Sequence, residues 1–487
     1  MFVLGFSSLY TQVFLLLEFL SIFNGNELVL GIVLANWMLL TGTGAYLGRF
    51  FRTTRNHLSF VVFLQLLITL LPILTLVKLD LWHALVLPEG TMAGLTQIIL
   101  ASFIIQAPFC LLNGFLFSAY SSVVADTGLT DPAGRSYAIE ATGSIAGGIL
   151  VNFLILWIFD AITGLRILLW INLMSFVILA ILLLGRKFLW LALPVALAIA
   201  SVPLLVDIKG FASGLLYPGQ EMLYDRLTPY GRVVITKNAG QLNFYENGLL
   251  LFSSGNEIQN EEVVHFAMIQ HNDPKRILVI GGGISGIMDE ILKYNPDRID
   301  YAELNPAIIE AGEKFARFKA GPLIRVFNED GRRMLKQTGE TYDIVLINLP
   351  EPSTLQVNRY YTLEFFRELK SHMRPGGVVS LGLPSTADYV SWIAGKLNAV
   401  MVRTLEEVFR NVLILPGLRN YFLASDNTLY TDVASRIEKK GISTLYVNHW
   451  YFDDNLLRDR SGFIQQQLTA SVPSNRDFHP VAFFYQL

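Results

Sequence analysis

The sequence has 487 residues, of which 52% are hydrophobic and 16% are charged, whereas about 25% are charged in ordinary soluble domains. These figures exclude a disordered chain, a coiled coil and a simple soluble enzyme. The net charge of −3 leaves no basic patch, so nucleic acid is not expected as a partner. Cys110 is the only cysteine, so no intrachain disulfide can form.

Charged residues are distributed unevenly along the chain. They occupy 18 of the first 210 positions but 59 of the remaining 277. The sparsely charged part suits lipid and the rest suits water. We therefore predict a transmembrane helical domain over 1–207, with the lipid bilayer as its partner, followed by a water-facing part.

The first half contains apolar runs long enough for membrane helices, which need roughly 20 apolar residues each. The first run lacks a basic region and a cleavage site, so it predicts a retained helix rather than a signal peptide. Residues 78–90 are mixed in character and are expected at the membrane interface. These features predict a multi-pass protein of the cell (inner) membrane. The seven runs predicted as helices are about 2–23, 27–49, 58–77, 96–122, 136–159, 162–184 and 188–206.

A few polar residues interrupt these runs. One interpretation is a polar path or ligand site around Glu18 and Glu140, because ionisable groups at membrane depth usually face a bundle interior. The other is that each polar residue lies near a helix end or hydrogen-bonds to a neighbouring helix. Gly143 and Gly147, four residues apart, predict close helix packing. The interrupting residues are Gln12, Glu18, Gln106, Glu140, Asn152 and Arg166.

The basic residues between the runs bear on orientation. The positive-inside rule places the more basic set of loops, which follow the second, fourth and sixth runs, in the cytoplasm. Seven crossings then place everything after 207 outside the cytoplasm. A half-crossing around 80–95 would reverse this result. The basic residues of that set are Arg49, Arg52, Arg55, Arg135, Arg186 and Lys187, against Lys78, Arg166 and Lys209 on the other side.

After residue 207 the pattern becomes that of a folded α/β chain. Asn247-Gly248 is a strong hairpin signal. It predicts a small β-hairpin and helix element over 208–270, at the start of the water-facing part. Its strands are predicted at 232–236, 242–246 and 249–253, and its helix at 257–270.

A glycine-rich turn at 281–283 follows a buried strand and opens a helix predicted at 287–294. Glycines let the backbone approach a ligand closely, and the helix N-terminus offers free N–H groups. Glu303 lies 22 residues after Gly281, the spacing of an acid that binds ribose hydroxyls. The pattern predicts a nucleoside cradle. A doubly wound sheet without a ligand is the alternative.

Strands and helices continue to alternate beyond this turn. Asp330 and Glu351 follow predicted strands, at the carboxyl ends where open α/β sheets bind ligands. The Pro-Gly-Gly break at 375–377 fits a class I methyltransferase-like sheet. We therefore predict a Rossmann-like α/β domain over 271–487. Its later elements are predicted as strands at 323–327, 342–347 and 378–383 and a helix at 362–373.

These motifs together resemble the spermidine synthase, or polyamine aminopropyltransferase, family. The likeness covers about 215–485, and the first half resembles the membrane-fused branch of that family. The resemblance implies transfer of an aminopropyl group from decarboxylated S-adenosylmethionine to a polyamine amine, with methylthioadenosine as the leaving product and no metal. The motifs that carry it are 274–283, Glu303, 329–331, 343–352 and 374–377.

The resemblance also assigns roles to individual residues. In the family, matching positions make up the cofactor-binding site: the glycine turn, an acid that binds ribose and an acid that binds the adenine amino group. The nucleoside is decarboxylated S-adenosylmethionine, or S-adenosylmethionine and methylthioadenosine as related ligands. The residues at these positions are Gly281, Gly282, Gly283, Glu303 and Asp330.

The catalytic positions depart from the family pattern. Ile284 stands where the family has the aspartate beside the aminopropyl chain, and Asn348 stands at the position of its base. Glu351 keeps a carboxylate at the next acidic position and is the remaining catalytic candidate. The segment 256–262 also lacks the family's Asp, Tyr and His. Since a polycation needs compensating carboxylates, we expect spermidine synthesis to be abolished or very slow.

The loop at 351–362 is polar and aromatic, and the corresponding region covers the active site in the family. One interpretation is a lid that brings side chains to the substrate, with Arg359 binding an anion. The other is a loop that leads into a helix capped by Thr362. The lid and substrate candidates are Asn348, Gln356, Asn358, Arg359 and Tyr360.

Three functions remain open from the sequence. They are a diverged transferase that retains the nucleoside cradle, an S-adenosylmethionine-dependent methyltransferase, and an inactive docking subunit of a membrane complex with partner proteins. The aromatic and acidic stretch 449–454 is a candidate for docking or for packing within its own domain. The histidines show no metal-ligand spacing, so no metal is expected. Those of the water-facing part are His265, His271, His372, His449 and His479.

Overall fold

The computed structural model divides the chain into two compact units. The first comprises Met1–Asn238 and Tyr245–Leu249, and the second Ala239–Phe244 and Leu250–Leu487. The predicted boundary near 207 lies outside the described residues and stays a prediction. The described residues are 1–23, 27–51, 55–86, 94–126, 130–152, 161–205, 210, 214–316, 318–385, 392–468 and 471–485.

Long apolar helices dominate the first unit. Five of them, α1 to α4 and α6, have the length and hydropathy to cross a membrane. This confirms the predicted helical region, although five described helices rather than seven meet both criteria. The helices are α1 (Phe2–Ile22), α2 (Glu27–Gly48), α3 (Arg55–Val86), α4 (Leu95–Ala125), α5 (Pro132–Leu150), α6 (Ala161–Leu184) and α7 (Leu189–Leu205).

The third helix differs from its predicted run, which ended at 77. It continues to Val86, so the first part of the stretch expected at the interface is helical. Leu76 and Leu79 are buried and lie three residues apart, a helical spacing that extends the apolar face into this stretch. Residues 87–93, where a half-crossing was considered, lie outside the described residues, as do 153–159 of the fifth run.

The glycines of α5 pack directly against α1. A Cβ atom at Gly143 would lie 2.0 Å from the carbonyl oxygen of Phe2, and one at Gly147 would lie 2.7 Å from that of Phe6. Only glycine allows the two backbones to approach this closely. The predicted close packing at these two positions is confirmed.

Glu18 on α1 is buried, with 1% of its side chain exposed, and is paired with a cation. Arg232 donates from Nη1 to Glu18 Oε2 at 3.0 Å, and from Nε and Nη2 to the two carboxylate oxygens of Asp225 at 2.8 and 2.9 Å. Glu140 accepts a hydrogen bond from the Ser144 hydroxyl at 3.0 Å. Glu18 lies one turn before the end of α1, as the second interpretation expects, whereas the bond of Glu140 lies within its own helix and not to a neighbouring one.

A four-stranded sheet with the order β1-β2-β3-β4 follows the helices. Strands β2, β3 and β4 confirm the predicted strands. Strand β1, which pairs antiparallel with β2, was missed because its sequence, Glu-Met-Leu-Tyr-Asp-Arg-Leu-Thr, has no regular alternation of polar and apolar residues. The strands are β1 (Glu221–Thr228), β2 (Gly231–Asn238), β3 (Gln241–Glu246) and β4 (Leu249–Ser253).

A seven-stranded sheet with the order β10-β11-β9-β8-β5-β6-β7 forms the centre of the second unit. Strands β5 to β9 are parallel, and β11 is antiparallel to both of its neighbours. This confirms the predicted Rossmann-like α/β fold. The strands are β5 (Arg276–Ile280), β6 (Arg298–Ala302), β7 (Ile324–Phe327), β8 (Tyr342–Ile347), β9 (Met373–Pro384), β10 (Asn411–Pro416) and β11 (Arg419–Ser425).

Helices cover this sheet and bury continuous apolar strands such as Tyr342–Ile347, which is buried at every position. The segment 374–377 begins β9 rather than ending the preceding helix. The helices are α8 (Glu257–Met268), α9 (Ile287–Leu292), α10 (Pro306–Phe315), α11 (Gly331–Gln337), α12 (Leu355–Asn358), α13 (Leu363–Ser371), α14 (Trp392–Glu406), α15 (Val433–Lys440), α16 (Asp454–Gln467) and α17 (Val481–Phe484).

Candidate functional site

The glycine turn lies where the sheet changes direction. The chain runs outward from β5 through β6 to β7 and then returns to β8, on the other side of β5. Ligands bind open α/β sheets at the carboxyl ends of strands at such a switch point. Gly281 and Gly282 have φ angles of +71° and +61°, a conformation that favours glycine. The turn is therefore shaped for close approach of a ligand to the backbone.

Glu303 lies at the end of β6, next to this turn. Its Oε2 accepts a hydrogen bond from the Tyr301 hydroxyl at 3.0 Å, and its Oε1 accepts one from the Asn305 N–H at 3.2 Å. These contacts hold the side chain in one position. The ribose-binding role of Glu303 stays a prediction.

Asp330 caps helix α11 and lies beside the lid candidates. Its Oδ1 accepts a hydrogen bond from the Arg333 N–H at 3.0 Å, and its Oδ2 accepts one from the Tyr360 hydroxyl at 2.8 Å. Arg359 forms an ion pair with the same oxygen. The structure therefore gives Arg359 a carboxylate partner, where the sequence suggested an external anion.

Asn348 and Ile284 occupy the two positions that depart from the family pattern. Asn348 lies at the end of β8 and donates from Nδ2 to the Gly282 carbonyl at 3.3 Å, so it contacts the turn directly. Ile284 is 2% exposed. Its side chain lies against Gly312 of α10, where an added Cβ would come within 2.5 Å of it. Position 284 therefore serves packing here.

Within the predicted lid at 351–362, Thr354 caps the short helix α12. Asn358 is buried and accepts a hydrogen bond from Asn475 Nδ2 at 2.9 Å. Gln356 is exposed, and its carbonyl accepts a hydrogen bond from Arg359 Nε. Thr362 caps α13, which confirms the predicted cap. The substrate-binding roles of Gln356 and Asn358 stay predictions.

Glu351 follows Asn348 by three residues and is the catalytic candidate of the sequence analysis. Burial raises the pKa of its carboxyl group, and the positive charge of Arg419 opposes that rise. Arg419 begins β11 and donates from Nη2 to the Gly382 carbonyl at 2.8 Å. With Asn348, Ser380 and Gly382, Arg419 lines a small crevice at the carboxyl edge of β8 and β9. Arg419 thus lies at the same edge of the sheet as Asn348.

Arg419 was missed in the sequence because it belongs to no motif. It follows the turn Pro416-Gly417-Leu418 between two antiparallel strands, and only the pairing of β11 with β9 brings it to the site. The turn is held by Glu262, whose Oε2 accepts a hydrogen bond from the Leu418 N–H at 2.8 Å. A charged residue directly after a hairpin turn is the one signal that could have indicated it.

Three ionisable side chains also meet outside this site, which the histidine spacing did not predict. Ligand atoms of Glu261, His265 and Glu290 lie within 4.8 Å of one another. All three already have protein partners. Glu261 accepts backbone N–H groups of 445–447 at 2.6 to 2.9 Å, and His265 lies between the Tyr294 hydroxyl and Glu290. The expected absence of a metal stays a prediction.

Comparison with known proteins agrees with this geometry. Residues 256–413 match the family model described as "Spermine/spermidine synthase domain". The chain carries a spermidine synthase-like domain. Among curated relatives, the polyamine aminopropyltransferase of Oceanobacillus iheyensis is 32% identical over 34% of this chain and 34% of its own length. That of Leptospira interrogans is 29% identical over 38% and 40%, respectively. The match thus spans well under half of these relatives.

A longer match reaches beyond the spermidine synthase-like domain. It covers 65% of this chain and 62% of polyamine aminopropyltransferase 1 of Streptomyces coelicolor, at 24% identity. Among solved structures, spermidine synthase in complex with the transition state analogue AdoDATO is 20% identical. It covers 51% of this chain and 88% of that chain, with a TM-score of 0.45.

Proposed function

We propose that the spermidine synthase-like domain binds an adenosyl sulfonium nucleoside and transfers a group from it to an acceptor other than putrescine. One observation carries the proposal: Glu303 is held rigidly beside the positive-φ glycine turn at the switch point of the sheet. The relatives named polyamine aminopropyltransferase support a transferase. By resemblance, the donor is decarboxylated S-adenosylmethionine, with S-adenosylmethionine as the alternative.

The residues of this chain support binding more than they support polycation chemistry. A sulfonium donor supplies an electrophilic carbon, and the protein must position an acceptor amine and take its proton. Asn348 cannot accept that proton at neutral pH, and Ile284 is packed against α10. Glu351 is the carboxylate that remains at the candidate catalytic positions. A second unpaired cation in such a site would be costly, so we expect putrescine to be a poor acceptor.

Calorimetry on the full chain in detergent tests the binding half of the proposal. Methylthioadenosine and S-adenosylmethionine are titrated into the wild type, Glu303→Gln and Glu313→Gln. Glu313 is an exposed acid on α10 and serves as the control. Loss of charge-assisted hydrogen bonds worth roughly 1.5–3 kcal/mol should weaken binding about ten-fold or more in Glu303→Gln only. Absence of heat with both nucleosides would contradict the proposal.

The transfer half is tested by methylthioadenosine release from decarboxylated S-adenosylmethionine. With putrescine as acceptor, we expect release no faster than the rate without acceptor. Robust release with putrescine would contradict the altered acceptor and would restore ordinary aminopropyl transfer. The matched assay with S-adenosylmethionine, read as S-adenosylhomocysteine, separates the methyltransferase alternative.

A docking subunit is the second candidate, and the orientation of the first unit favours it. Glu18 lies one turn before the end of α1 and binds Arg232 of β2, so this strand lies at that end of the helix. Arg49 follows the end of α2, the next helix along the chain. If the two helices cross the membrane in succession, Arg49 lies on the side opposite to the end of α1. With the basic loops inside, β2 would face away from the cytoplasmic supply of S-adenosyl donors.

A reporter fused after Leu487 decides between these candidates. Alkaline phosphatase activity indicates a C-terminus outside the cytoplasm and favours docking. Fluorescence of a cytoplasm-dependent fluorescent protein indicates the inside and favours the transferase. Fusions after 50 and after 126 give the reference signals for the basic loops.

A further inference from the structure

A cavity of about 420 Å³ lies at the carboxyl edge of the seven-stranded sheet. Ser385, which follows β9, and Pro416, which ends β10, lie on its lining and place it at this edge. Open α/β sheets bind ligands at the carboxyl ends of their strands, and small-molecule sites usually have volumes of roughly 300–1,000 Å³. The glycine turn at 281–283 does not line it, so this cavity is separate from the nucleoside cradle and has room for a small organic ligand.

Two adjacent acids of α8 hold two walls of the cavity in place. Glu262 accepts a hydrogen bond from the Leu418 N–H at 2.8 Å and so holds the turn between β10 and β11. Glu261 accepts the backbone N–H groups of 445–447 at 2.6 to 2.9 Å and so holds the segment that leads to Tyr451. Because these walls are fixed within the protein, a ligand does not have to order them, which lowers the cost of binding.

Helix α16 forms the third wall, and all three walls present apolar side chains. The Ser461 hydroxyl holds α16 on β10 by donating to the Ile414 carbonyl at 2.6 Å. One large apolar side chain from each wall lines the cavity and remains exposed: Leu418 at 49%, Tyr451 at 63% and Leu456 at 50%. Such a concentration of exposed apolar surface is typical of a binding site. We call these three side chains the apolar walls.

Three charged residues line the cavity, and they differ in their partners. Asp453 caps α16 by accepting two N–H groups at 2.8 and 3.3 Å. Glu262 holds the turn, and burial raises the pKa of its carboxyl group to about 7, so it carries only part of its charge at neutral pH. Arg460 is exposed and has no hydrogen bond or ion pair in the described part of the chain. Its five N–H donors form a planar fork that matches a carboxylate.

From these walls and this charge we propose that the cavity binds a small amphipathic organic acid, whose carboxylate pairs with Arg460 and whose apolar body covers the apolar walls. An apolar ligand without a charge would leave the guanidinium unpaired, and an amine would place a like charge beside it. An acid without an apolar body would leave the apolar walls in water. The inference goes beyond the proposed function and does not rest on it, since the nucleoside cradle lies elsewhere on the sheet.

Three probes with one skeleton test the inference on the full chain in detergent. They are 4-phenylbutyrate, 4-phenylbutanol and 4-phenylbutylamine, which share a phenyl ring and an alkyl chain and differ in the charge of the end group. Butyrate, which lacks the ring, is the fourth probe. Each is titrated in a calorimeter, with protein-free detergent as the blank. We expect 4-phenylbutyrate to bind about ten-fold more tightly than the alcohol, because of its charge-assisted hydrogen bonds, and more tightly than the amine or butyrate.

Variants of Arg460 show whether the acid group is recognised there. Arg460→Glu should reverse the preference in favour of the amine, while Arg460→Lys should keep the wild-type order at reduced affinity because the ammonium lacks the planar fork. Arg458→Glu, at an exposed position on the same helix that does not line the cavity, is the charge-matched control and should change neither.

A second pair of variants tests the apolar walls. Leu456→Asn should weaken the binding of the acid and of the alcohol by a similar factor, because it removes apolar contact from both. Phe463→Asn, at a position 57% exposed on the same helix and away from the lining, is the matched control. Unchanged thermal unfolding shows that each variant is folded.

The inference is wrong if the wild type binds the alcohol or the amine as tightly as the acid, or if none of the three gives heat above the blank. An unchanged preference in Arg460→Glu also overturns it, as does equal weakening by Leu456→Asn and Phe463→Asn. Methylthioadenosine binding, measured on the same preparations, reports the proposed function separately. Either proposal can therefore fail while the other stands.

Discussion

Two arginines, one in each unit, lie beside buried or half-buried carboxylates and differ in how far their donors are used. Arg232 in the first unit makes three hydrogen bonds to two acids, Asp225 and Glu18, all at 2.8 to 3.0 Å. Arg419 in the second unit makes one bond, to a carbonyl, and stays apart from Glu351. A cation paired with two acids suits a structural role, whereas one that makes a single bond to a carbonyl at the edge of a crevice contributes less to the fold.

The difference follows from what each arginine joins. Arg232 links a strand to a helix residue 214 positions away, and its side chain is 11% exposed, so its partners must be complete within the protein. Arg419 lies at the carboxyl edge of the sheet, where a ligand can complete the set. Buried charge alone is therefore a poor guide to a functional site, and the unused donors are the informative feature.

The largest expected effect comes from removing Arg232, the cation that is paired with two acids. Arg232→Met leaves Glu18 and Asp225 buried without their partner, which should lower the free energy of unfolding by about 3–5 kcal/mol. Denaturant titration of the full chain in detergent measures it. Lys237→Met, at an exposed position on the same strand, is the control and should change little. Equal stability of the two variants would contradict the structural role.

The next effect concerns Glu262, which holds the turn before Arg419. Burial raises the pKa of the Glu262 carboxyl group to about 7, although the hydrogen bond from the Leu418 N–H opposes this rise. Between pH 4.5 and 7 the unfolded chain has released this proton and the folded chain keeps it. Stability therefore falls as pH rises through this window and is level above it.

Glu262→Gln tests this pH dependence. Glutamine can still accept the Leu418 N–H but does not titrate. The free energy of unfolding of the wild type should fall by at most about 3 kcal/mol between pH 4.5 and 7, and that of the variant should not show this fall. Unfolding titrations at several pH values measure the difference from wild type. Glu313→Gln on the surface of α10 is the control. Parallel profiles for wild type and Glu262→Gln would show that Glu262 titrates normally.

A smaller effect sharpens the comparison directly. Arg419→Met removes one hydrogen bond and no salt bridge, so the free energy of unfolding should change by about 1 kcal/mol or less. The same denaturant titration as for Arg232→Met measures it. A loss as large as that of Arg232→Met would mean that Arg419 is as structural as Arg232 and would remove the difference between them.

The smallest effect is expected at Arg359, which is paired with Asp330 near the surface. Arg359→Ala should change stability by about 0.2–1 kcal/mol, as for exposed ion pairs. It removes one of the two partners of Asp330 Oδ2, on which the Tyr360 hydroxyl remains. Affinity for methylthioadenosine should therefore rise a few-fold in calorimetry if Asp330 binds the adenine amino group. Lys336→Ala on the adjacent helix is the control. A fall in affinity would instead place Arg359 on the ligand.

Much of the fold could be predicted because it depends on local pattern. Apolar runs, the Asn247-Gly248 turn and the buried strand at 342–347 each reflect solvent exposure or backbone preference within one element. The third helix was predicted too short because its last turns mix polar and apolar residues, although Leu79 and Asp80 are buried there. Strand β1 was missed since its pairing with β2, and not its own alternation, makes it a strand.

The candidate site could be predicted only in its motif-bearing half. The glycine turn and Glu303 lie on consecutive elements, so spacing along the chain indicates them. Arg419 and the Arg359–Asp330 ion pair depend on which strands and loops become neighbours. No periodicity records such a contact between distant segments.

The sequence by itself therefore indicated the long apolar helices and the α/β part that follows them, and it predicted a nucleoside cradle and two altered family positions, because each depends on residue type at a known position. Only the tertiary structure decided which charges meet. Hydrogen bonds and ion pairs act over a few ångströms in space, so the partners of Arg232 and Arg419 exist only once the chain has folded.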